Sequence, residues 1–338
     1  MVEPLKIALI GCGKQARKHI EGYRACPDVD LLLADVQPER AHCLAKVAGL
    51  SAAPSVDDAL SDPSVTAVDL CTPTPTHAPL IKQALSEGKH FFCEKPLCDS
   101  LQAAEEIVTE AEQRNRVGMV GFIYRFAPAF DLGYRLLAQR PNGEPPPLGR
   151  PISALFRIGG RGSHQPWKHR KSAGGGAINE MLVHMLDLAI WFFGPVHAAR
   201  LLDHRLLRPT REIQGQVHDV DAEDYVLASF EMESGLEVLI QADLVTPSFA
   251  QYCEVQTEEG SFFGSIQPDT RSYVFSAKPL DAENLAAGRT VLTDVDSDLY
   301  ATMMRSFVTA IREGRPPDRC ALSDSRAFHA ALEMIRER

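Results

Sequence analysis

Along the first part of the chain, apolar positions alternate between two rhythms. Short, nearly continuous apolar runs at Leu5 to Ile10, Leu31 to Ala34, Val65 to Cys71, His90 to Cys93 and Val117 to Phe122 have the length of strands buried on both faces. Between them, Lys14 to Ala25, Pro38 to Ala48, His77 to Glu87 and Leu101 to Arg114 carry apolar residues at three- and four-residue spacing and end near Gly or Pro, which is helix patterning. The repetition is βαβ. It predicts an α/β domain over residues 1–123, a doubly wound parallel sheet with helices on both faces.

After Phe122 the rhythm changes. One helical pattern near Ala127 to Gln139 leads through a Pro-rich turn, Pro141 to Pro151, into a region dominated by strands. Tyr225 to Glu231, Leu236 to Asp243, Tyr252 to Gln256 and Ser261 to Gly264 are separated by turn signals such as Glu233-Ser234-Gly235 and Glu259-Gly260, the mark of an antiparallel sheet. A long amphipathic segment, Gly176 to Phe193, interrupts them, and helical patterns at Leu299 to Glu313 and Ser323 to Arg336 close the chain. These elements predict a second α/β domain over residues 124–338, its last helix expected to pack back on the first domain.

Composition narrows the function classes. The formal charge of −10 repels phosphate backbones and anionic bilayers, so neither nucleic acid nor a membrane is an expected partner. The chain enters its first strand without a leader pattern and carries no apolar run approaching a membrane span, which predicts a cytoplasmic protein. Its eight cysteines are scattered, with no C-x-x-C pair, and read as buried thiols; no metal is expected.

Candidate chemistry starts at Gly11-Cys12-Gly13-Lys14-Gln15-Ala16, which follows the first strand, opens the first helix and matches G-x-G-x-x-A. Gly11 permits the tight turn, Gly13 lets backbone approach a pyrophosphate, and Ala16 lets helix and strand pack closely, while the helix N-terminus supplies amide donors. Asp35 ends the second strand, where a carboxylate accepts from a ribose 2′-hydroxyl and repels a 2′-phosphate, favouring NAD over NADP. Arg40 nearby keeps a 2′-phosphate or an adenine stack in play, and a turn cap is the competing reading of Asp35. The triplet Glu94-Lys95-Pro96 closes the fourth apolar run, and ligands of such sheets sit beyond the carboxyl ends of strands; a plain turn is the alternative.

A second constellation is Gly174-Gly175-Gly176 followed by Glu180 and His184, four residues apart and so on one helical face. Upstream, Arg161 to Lys171 is strongly basic for an acidic chain and includes Trp167, suited to an anionic substrate or to stacking on a sugar face; a solvated loop competes.

With Gly11-x-Gly13-x-x-Ala16, Asp35, Thr72-Pro73-x-x-Thr76-His77, Glu94-Lys95-Pro96, Tyr124-Arg125-Phe126 and Gly174-Gly175-Gly176 in this order, the chain resembles the Gfo/Idh/MocA oxidoreductases over nearly its whole length. The resemblance implies a Rossmann domain, a second α/β domain with an open, mostly antiparallel sheet, and nicotinamide-dependent oxidation or reduction of a hydroxyl on a sugar, inositol or related ring. It implies cofactor contacts from Lys14, Gln15, Cys71, Thr72, His77, Glu94 and Lys95, with Pro96 following a cis peptide. Lys95 then also meets the reacting hydroxyl, His184 serves as general base, and Arg125 contacts substrate; the substrate contact of Trp167 rests on the basic run alone. The family usually places Asp where this chain has Glu180, one methylene longer, so Glu180 either positions His184 or itself binds a hydroxyl. For His77 a helix-start histidine without catalytic role is the alternative. The resemblance further implies a homodimer or homotetramer. Two rival functions share these residues: a sensor that binds NAD and sugar without turnover, and an enzyme that keeps NAD and runs a closed redox cycle.

Overall fold

The computed structural model describes residues 4–140, 143–160, 165–267, 269–293 and 297–336. The chain divides into two compact units, Met1–Ile123 with Ser297–Arg326, and Tyr124–Asp296 with Ala327–Arg338.

In the first unit the five apolar runs become β1 (Leu5–Ile10), β2 (Val29–Ala34), β4 (Ala67–Leu70), β5 (His90–Cys93) and β6 (Gly118–Val120), and a two-residue edge strand that the apolar pattern did not announce, β3 (Ser51–Ala52), joins them. They form one parallel sheet in the order β3-β2-β1-β4-β5-β6, the doubly wound arrangement in which the strand order reverses between β1 and β4. Helices α1 (Lys14–Tyr23), α2 (Pro38–Ala48), α3 (Val56–Ser61), α4 (His77–Ser86) and α5 (Leu101–Gln113) connect them. Local chemistry sets several ends: Ser55 and Ser100 accept the amides of Asp58 and Ala103 as N-caps, and Gly49 closes α2 in the left-handed conformation. Ile7, Leu9, Val68, Leu70, Phe91 and Phe92 are fully buried, as both-face coverage of a parallel sheet requires.

The second unit begins with α6 (Pro128–Leu137) and β7 (Pro151–Gly159), then α7 (Val183–Phe193), which continues from a π-helical turn at Ile178–Leu182. The strands β8 (Val196–Arg205), β9 (Thr210–Ile213), β10 (Gln216–Asp219), β11 (Tyr225–Met232), β12 (Glu237–Asp243), β13 (Ala250–Thr257), β14 (Gly260–Ser265), β15 (Tyr273–Ser276) and β16 (Gly288–Val291) follow. Apart from the β9–β10 hairpin, they join β7 in an eight-stranded sheet, β16-β15-β14-β13-β7-β12-β11-β8. Only the β7–β12 pairing is parallel. Alternation along these strands buries Phe156, Ile158, Val238, Ile240, Val255 and Phe262 beneath α6 and α7.

Residues Lys171–Phe193 make one helical stretch whose length and composition would suffice to cross a membrane, against the sequence expectation that no such run exists. Its apolar side chains have another use: 67% of that window is buried inside the protein, where α7 packs on β7 and β12.

Residues 297–326, assigned by sequence to the second domain, return to the first unit through α8 (Leu299–Glu313), which packs along α1. The last helix, α9 (Asp324–Arg336), expected to make this return, falls from Ala327 onward in the second unit. Both closing segments are amphipathic, so periodicity could not say which sheet each would cover. The α1–α8 contact is close because Gly22 has no side chain: a Cβ there would stand 2.9 Å from the carbonyl carbon and oxygen of Tyr300. Replacing Gly22 by Ala is therefore expected to destabilise the protein by about 1–3 kcal/mol, read as a lowered urea midpoint at unchanged slope.

Candidate active site

The candidate cluster of the first unit lies where β1 and β4 part. Gly11 takes φ +95°, and a Cβ on it would lie 2.8 Å from both the Cys71 carbonyl oxygen and the Thr72 methyl. Only glycine satisfies both constraints. The space beside Gly13 is open, with nothing within 4 Å of a Cβ built there. No side chain caps the first turn of α1, and Lys14 is exposed beside it. Ala16 is fully buried against the sheet. Asp35 at the end of β2 accepts the Cys12 amide at 2.7 Å through Oδ2 and the Gln37 amide at 2.9 Å through Oδ1. Its carboxylate is thus fixed in orientation yet keeps lone pairs for a ribose diol. Open glycine backbone, uncapped helix amides and an aimed carboxylate fit a dinucleotide. Arg40 is exposed on α2.

Lys95 and Glu94 follow β5, with the Lys95–Pro96 peptide cis. The Lys95 amide lies 3.3 Å from Glu94 Oε2. His77 holds this turn to the neighbouring one: its Nδ1 lies 2.9 Å from the Pro96 carbonyl oxygen and its Nε2 2.9 Å from that of Thr72. Read above as a cofactor contact, the ring is only 1% exposed and bridges two backbone segments. Burial pulls the His77 imidazole down, opposed by those carbonyls.

Beneath both turns is a polar cluster that no motif announced. His19, on the inner face of α1, is wholly buried with a carboxylate at each ring nitrogen. Asp69 of β4 lies 2.9 Å from Nδ1, and Glu94 Oε1 lies 2.9 Å from Nε2. Gln15 donates to the same Glu94 oxygen at 2.7 Å and to the Tyr300 hydroxyl at 3.1 Å, and the Cys71 sulfur lies 3.2 Å from His19 Nδ1. Burial alone would lower the His19 imidazolium, but the Asp69 charge, the Cys71 thiol and their hydrogen bonds hold it well above its ordinary value. Burial pushes the Cys71 thiol up. Donor atoms of His19, Asp69 and Cys71 lie within 4.8 Å of one another, a spacing open to a cation. Both ring nitrogens, however, face carboxylates that call for N–H donors. The sequence signal was available: Asp69 is the one charge in the apolar strand Ala67-Val68-Asp69-Leu70.

The second unit holds a candidate cluster of its own. Gly176 has φ +110°, and a Cβ there would collide with the Glu223 carboxylate at 2.4 Å, the group that accepts the Ile178 amide at the start of the π-helical turn. That turn carries Glu180, and His184 follows in the first turn of α7. His184 stacks on Tyr124 with ring centroids 4.7 Å apart, and the Tyr124 hydroxyl accepts from Gln251 at 2.6 Å. Glu180 accepts a hydrogen bond from Lys168, whose ammonium lies 5.2 Å from the centre of the half-buried Trp167 ring. Of the basic run, Arg161 to His164 lie outside the described residues. Arg125 requires a correction. Expected to contact substrate, it is 2% exposed and grips Asp187 as a fork, Nε to Oδ2 at 2.9 Å and Nη2 to Oδ1 at 2.7 Å.

The Glu94 carboxyl gives this geometry a measurable sign. Burial would raise it, but the His19 hydrogen bond and charge, the Lys95 charge and the Gln15 amide together hold it at about 2. A depressed carboxyl contributes stability above its unfolded value and loses it as pH falls through the folded one. Glu94→Gln is expected to lower stability by about 2–3 kcal/mol near neutral pH. In urea unfolding the gap between the two proteins should close as pH falls from about 5 to about 2.

Comparison with known proteins agrees with this organisation. Residues 5–122 match the model of the oxidoreductase family with an NAD-binding Rossmann fold, and residues 147–263 match the GFO/IDH/MocA C-terminal domain. Myo-inositol 2-dehydrogenase of Thermotoga maritima is 25% identical over 332 residues, covering 93% of this chain and 90% of that protein. The uncharacterised oxidoreductase YrbE of Bacillus subtilis is 29% identical over 196 residues; that match covers 57% of this chain and 55% of YrbE, about half the length of each. A solved structure of levoglucosan dehydrogenase in complex with NADH and L-sorbose shares the fold, with a TM-score of 0.86 and 23% identity over 98% of this chain and 96% of that one. Two models of one family run through the two units in order, and the chain belongs to the Gfo/Idh/MocA family of NAD-binding oxidoreductases.

Proposed function

We propose that this protein is an NAD-dependent dehydrogenase that transfers a hydride between a secondary hydroxyl of a sugar, cyclic polyol or sugar derivative and nicotinamide. The observation that carries the reading is the placement of Lys95 at the carboxyl end of β5, in the same unit as the dinucleotide turn and directly after Glu94, whose carboxylate faces His19 and Gln15. Bound NAD supplies the hydride acceptor. The Lys95 ammonium stabilises the negative charge that grows on the substrate oxygen, and His184, its ring braced by Tyr124, accepts the hydroxyl proton. The longer Glu180 reaches Lys168, so the pair offers a matched donor and acceptor to neighbouring hydroxyls. Asp35 favours NAD over NADP by repelling a 2′-phosphate. The names of the relatives, an inositol and a levoglucosan dehydrogenase, support the substrate class.

The test is NADH formation at 340 nm, with NAD and NADP in parallel, across inositols, anhydrosugars, free sugars, sugar acids and nucleotide-sugars. Reduction of NAD by one group is expected; silence across the panel despite tight NAD binding would overturn the dehydrogenase reading. Lys95→Ala should lower kcat by about 10²–10⁴-fold while NAD affinity stays within about threefold.

The face of the eight-stranded sheet opposite α7 carries Leu155, Leu239 and Phe275, each at least 37% exposed, and a stacked row Tyr252–Phe263–Tyr273 with Arg289 over its last ring. We propose that this face pairs two copies of the chain into a homodimer or homotetramer. Light scattering at micromolar concentration is expected to give a multiple of the 37.1 kDa chain mass, falling to one chain for Phe275→Asp; a monomeric parent protein refutes the assembly.

A further inference from the structure

His19 presents a chemical constraint that the proposed reaction does not use. A neutral imidazole carries one N–H and one lone pair, whereas here each ring nitrogen lies 2.9 Å from a carboxylate oxygen. With Gln15 also donating to Glu94 Oε1, that oxygen acts as an acceptor, and so does Asp69, which faces Nδ1 with both oxygens at 3.0 and 2.9 Å. An arrangement with a lone pair against a carboxylate in a fully buried site is strongly unfavourable. The ring is therefore an imidazolium donating at both ends.

We propose that Asp69 and His19 are positioning residues for the reaction: through one buried imidazolium they hold the Glu94 carboxylate, and with it the Lys95 turn, against the dinucleotide turn that Gln15 belongs to. The chain of contacts is continuous, from Asp69 on β4 through His19 on α1 to Glu94 after β5, and back to α1 at Gln15. Glu94 Oε2 faces the Lys95 amide, so the carboxylate gripped by His19 adjoins the backbone that carries the lysine. Two carboxylates and one imidazolium leave a net negative charge beneath Lys95, which favours its ammonium form.

The groups facing His19 are few. They are Asp69 within β4 and Cys71 after it, Glu94 after β5, Gln15 on the same helix, and the rings of Phe92 and Tyr300 at 5.4 and 5.8 Å. Tyr23 on α1 feels the Asp69 charge from the same side. Of these, Asp69 is the partner whose removal changes the ring's charge while leaving Glu94 in place. Asn at position 69 can donate to Nδ1, so a neutral ring would still donate Nε2–H to Glu94; the substitution removes charge and keeps the shape.

The proposal rests on the reading of Lys95 as the group that polarises substrate, and its test separates the two. Nitrogen-15 NMR of histidine-labelled full-length protein, with His19 assigned through His19→Gln, is expected to show a doubly protonated His19 ring at pH 8. In Asp69→Asn the ring should be neutral at pH 8 and regain its proton toward acid. Relative to the parent at the same pH, turnover of that variant is expected to be about tenfold lower at pH 8, with NAD affinity within about threefold, and the ratio to recover as pH falls to about 6. A neutral His19 in the parent protein overturns the proposal. So does an Asp69→Asn pH–rate profile that superimposes on the parent's, or a stoichiometric transition metal found in the purified protein with its signal on His19. If Lys95→Ala retains full turnover, the underlying reading fails instead, whatever the state of His19.

Discussion

The parting of two neighbouring strand ends governs the first unit. β1 and β4 are neighbours in the sheet but leave it toward opposite faces, and the backbone after β1 passes so close to Cys71 and Thr72 that no Cβ fits at position 11. From that contact the rest follows. A glycine at φ +95° turns the chain sharply into α1, α1 starts without a side-chain cap, and its first amides open at the reversal of strand order. The same proximity brings α1's inner face over β4 and β5, which is why a histidine two turns into that helix can touch carboxylates from both strands.

Much of this was legible in the sequence because it depends on local rules. Strand runs, helix spacing and the glycine fingerprint each respond to constraints within a few residues, so β1, β2, β4, β5 and β6 agree closely with the apolar pattern, while the two-residue β3 is too short to leave one. What escaped was set by pairing across long separations. Arg125 and Asp187 stand 62 residues apart, and nothing near either one shows that they form a buried fork. The allocation of α8 and α9 between units was equally hidden, since an amphipathic helix names its buried face but not the surface it covers. Asp69 was the missed signal that could have been read: a carboxylate in the middle of a buried parallel strand must have a partner, and the nearest candidate by topology is a polar residue on the helix above.

The second unit shows the same rule at Glu180. Its extra methylene relative to the usual Asp invited the idea of a carboxylate moved toward substrate, yet the side chain meets Lys168 from the basic run. Part of that run's charge is thereby answered within the protein, which weakens the case for an anionic substrate drawn from composition alone. Lys168 stays close to the Trp167 ring, so the flat apolar surface and the hydrogen-bonding pair are neighbours, an arrangement suited to a sugar ring with one apolar face and hydroxyl edges.

Charge ordering around Lys95 links these observations. A protein of formal charge −10 has no shortage of carboxylates that could sit near a lysine while staying mobile on the surface. Glu94 is instead held from the other side: His19 and Gln15 take Oε1, and Oε2 faces the Lys95 backbone amide. The field of the carboxylate still reaches the ammonium, but its hydrogen-bonding capacity is largely committed elsewhere. A buried imidazolium is a demanding way to secure that outcome, because it needs a second carboxylate, Asp69, to make the charge tolerable. That demand explains why a carboxylate appears in β4, where the sheet by itself would favour an apolar side chain.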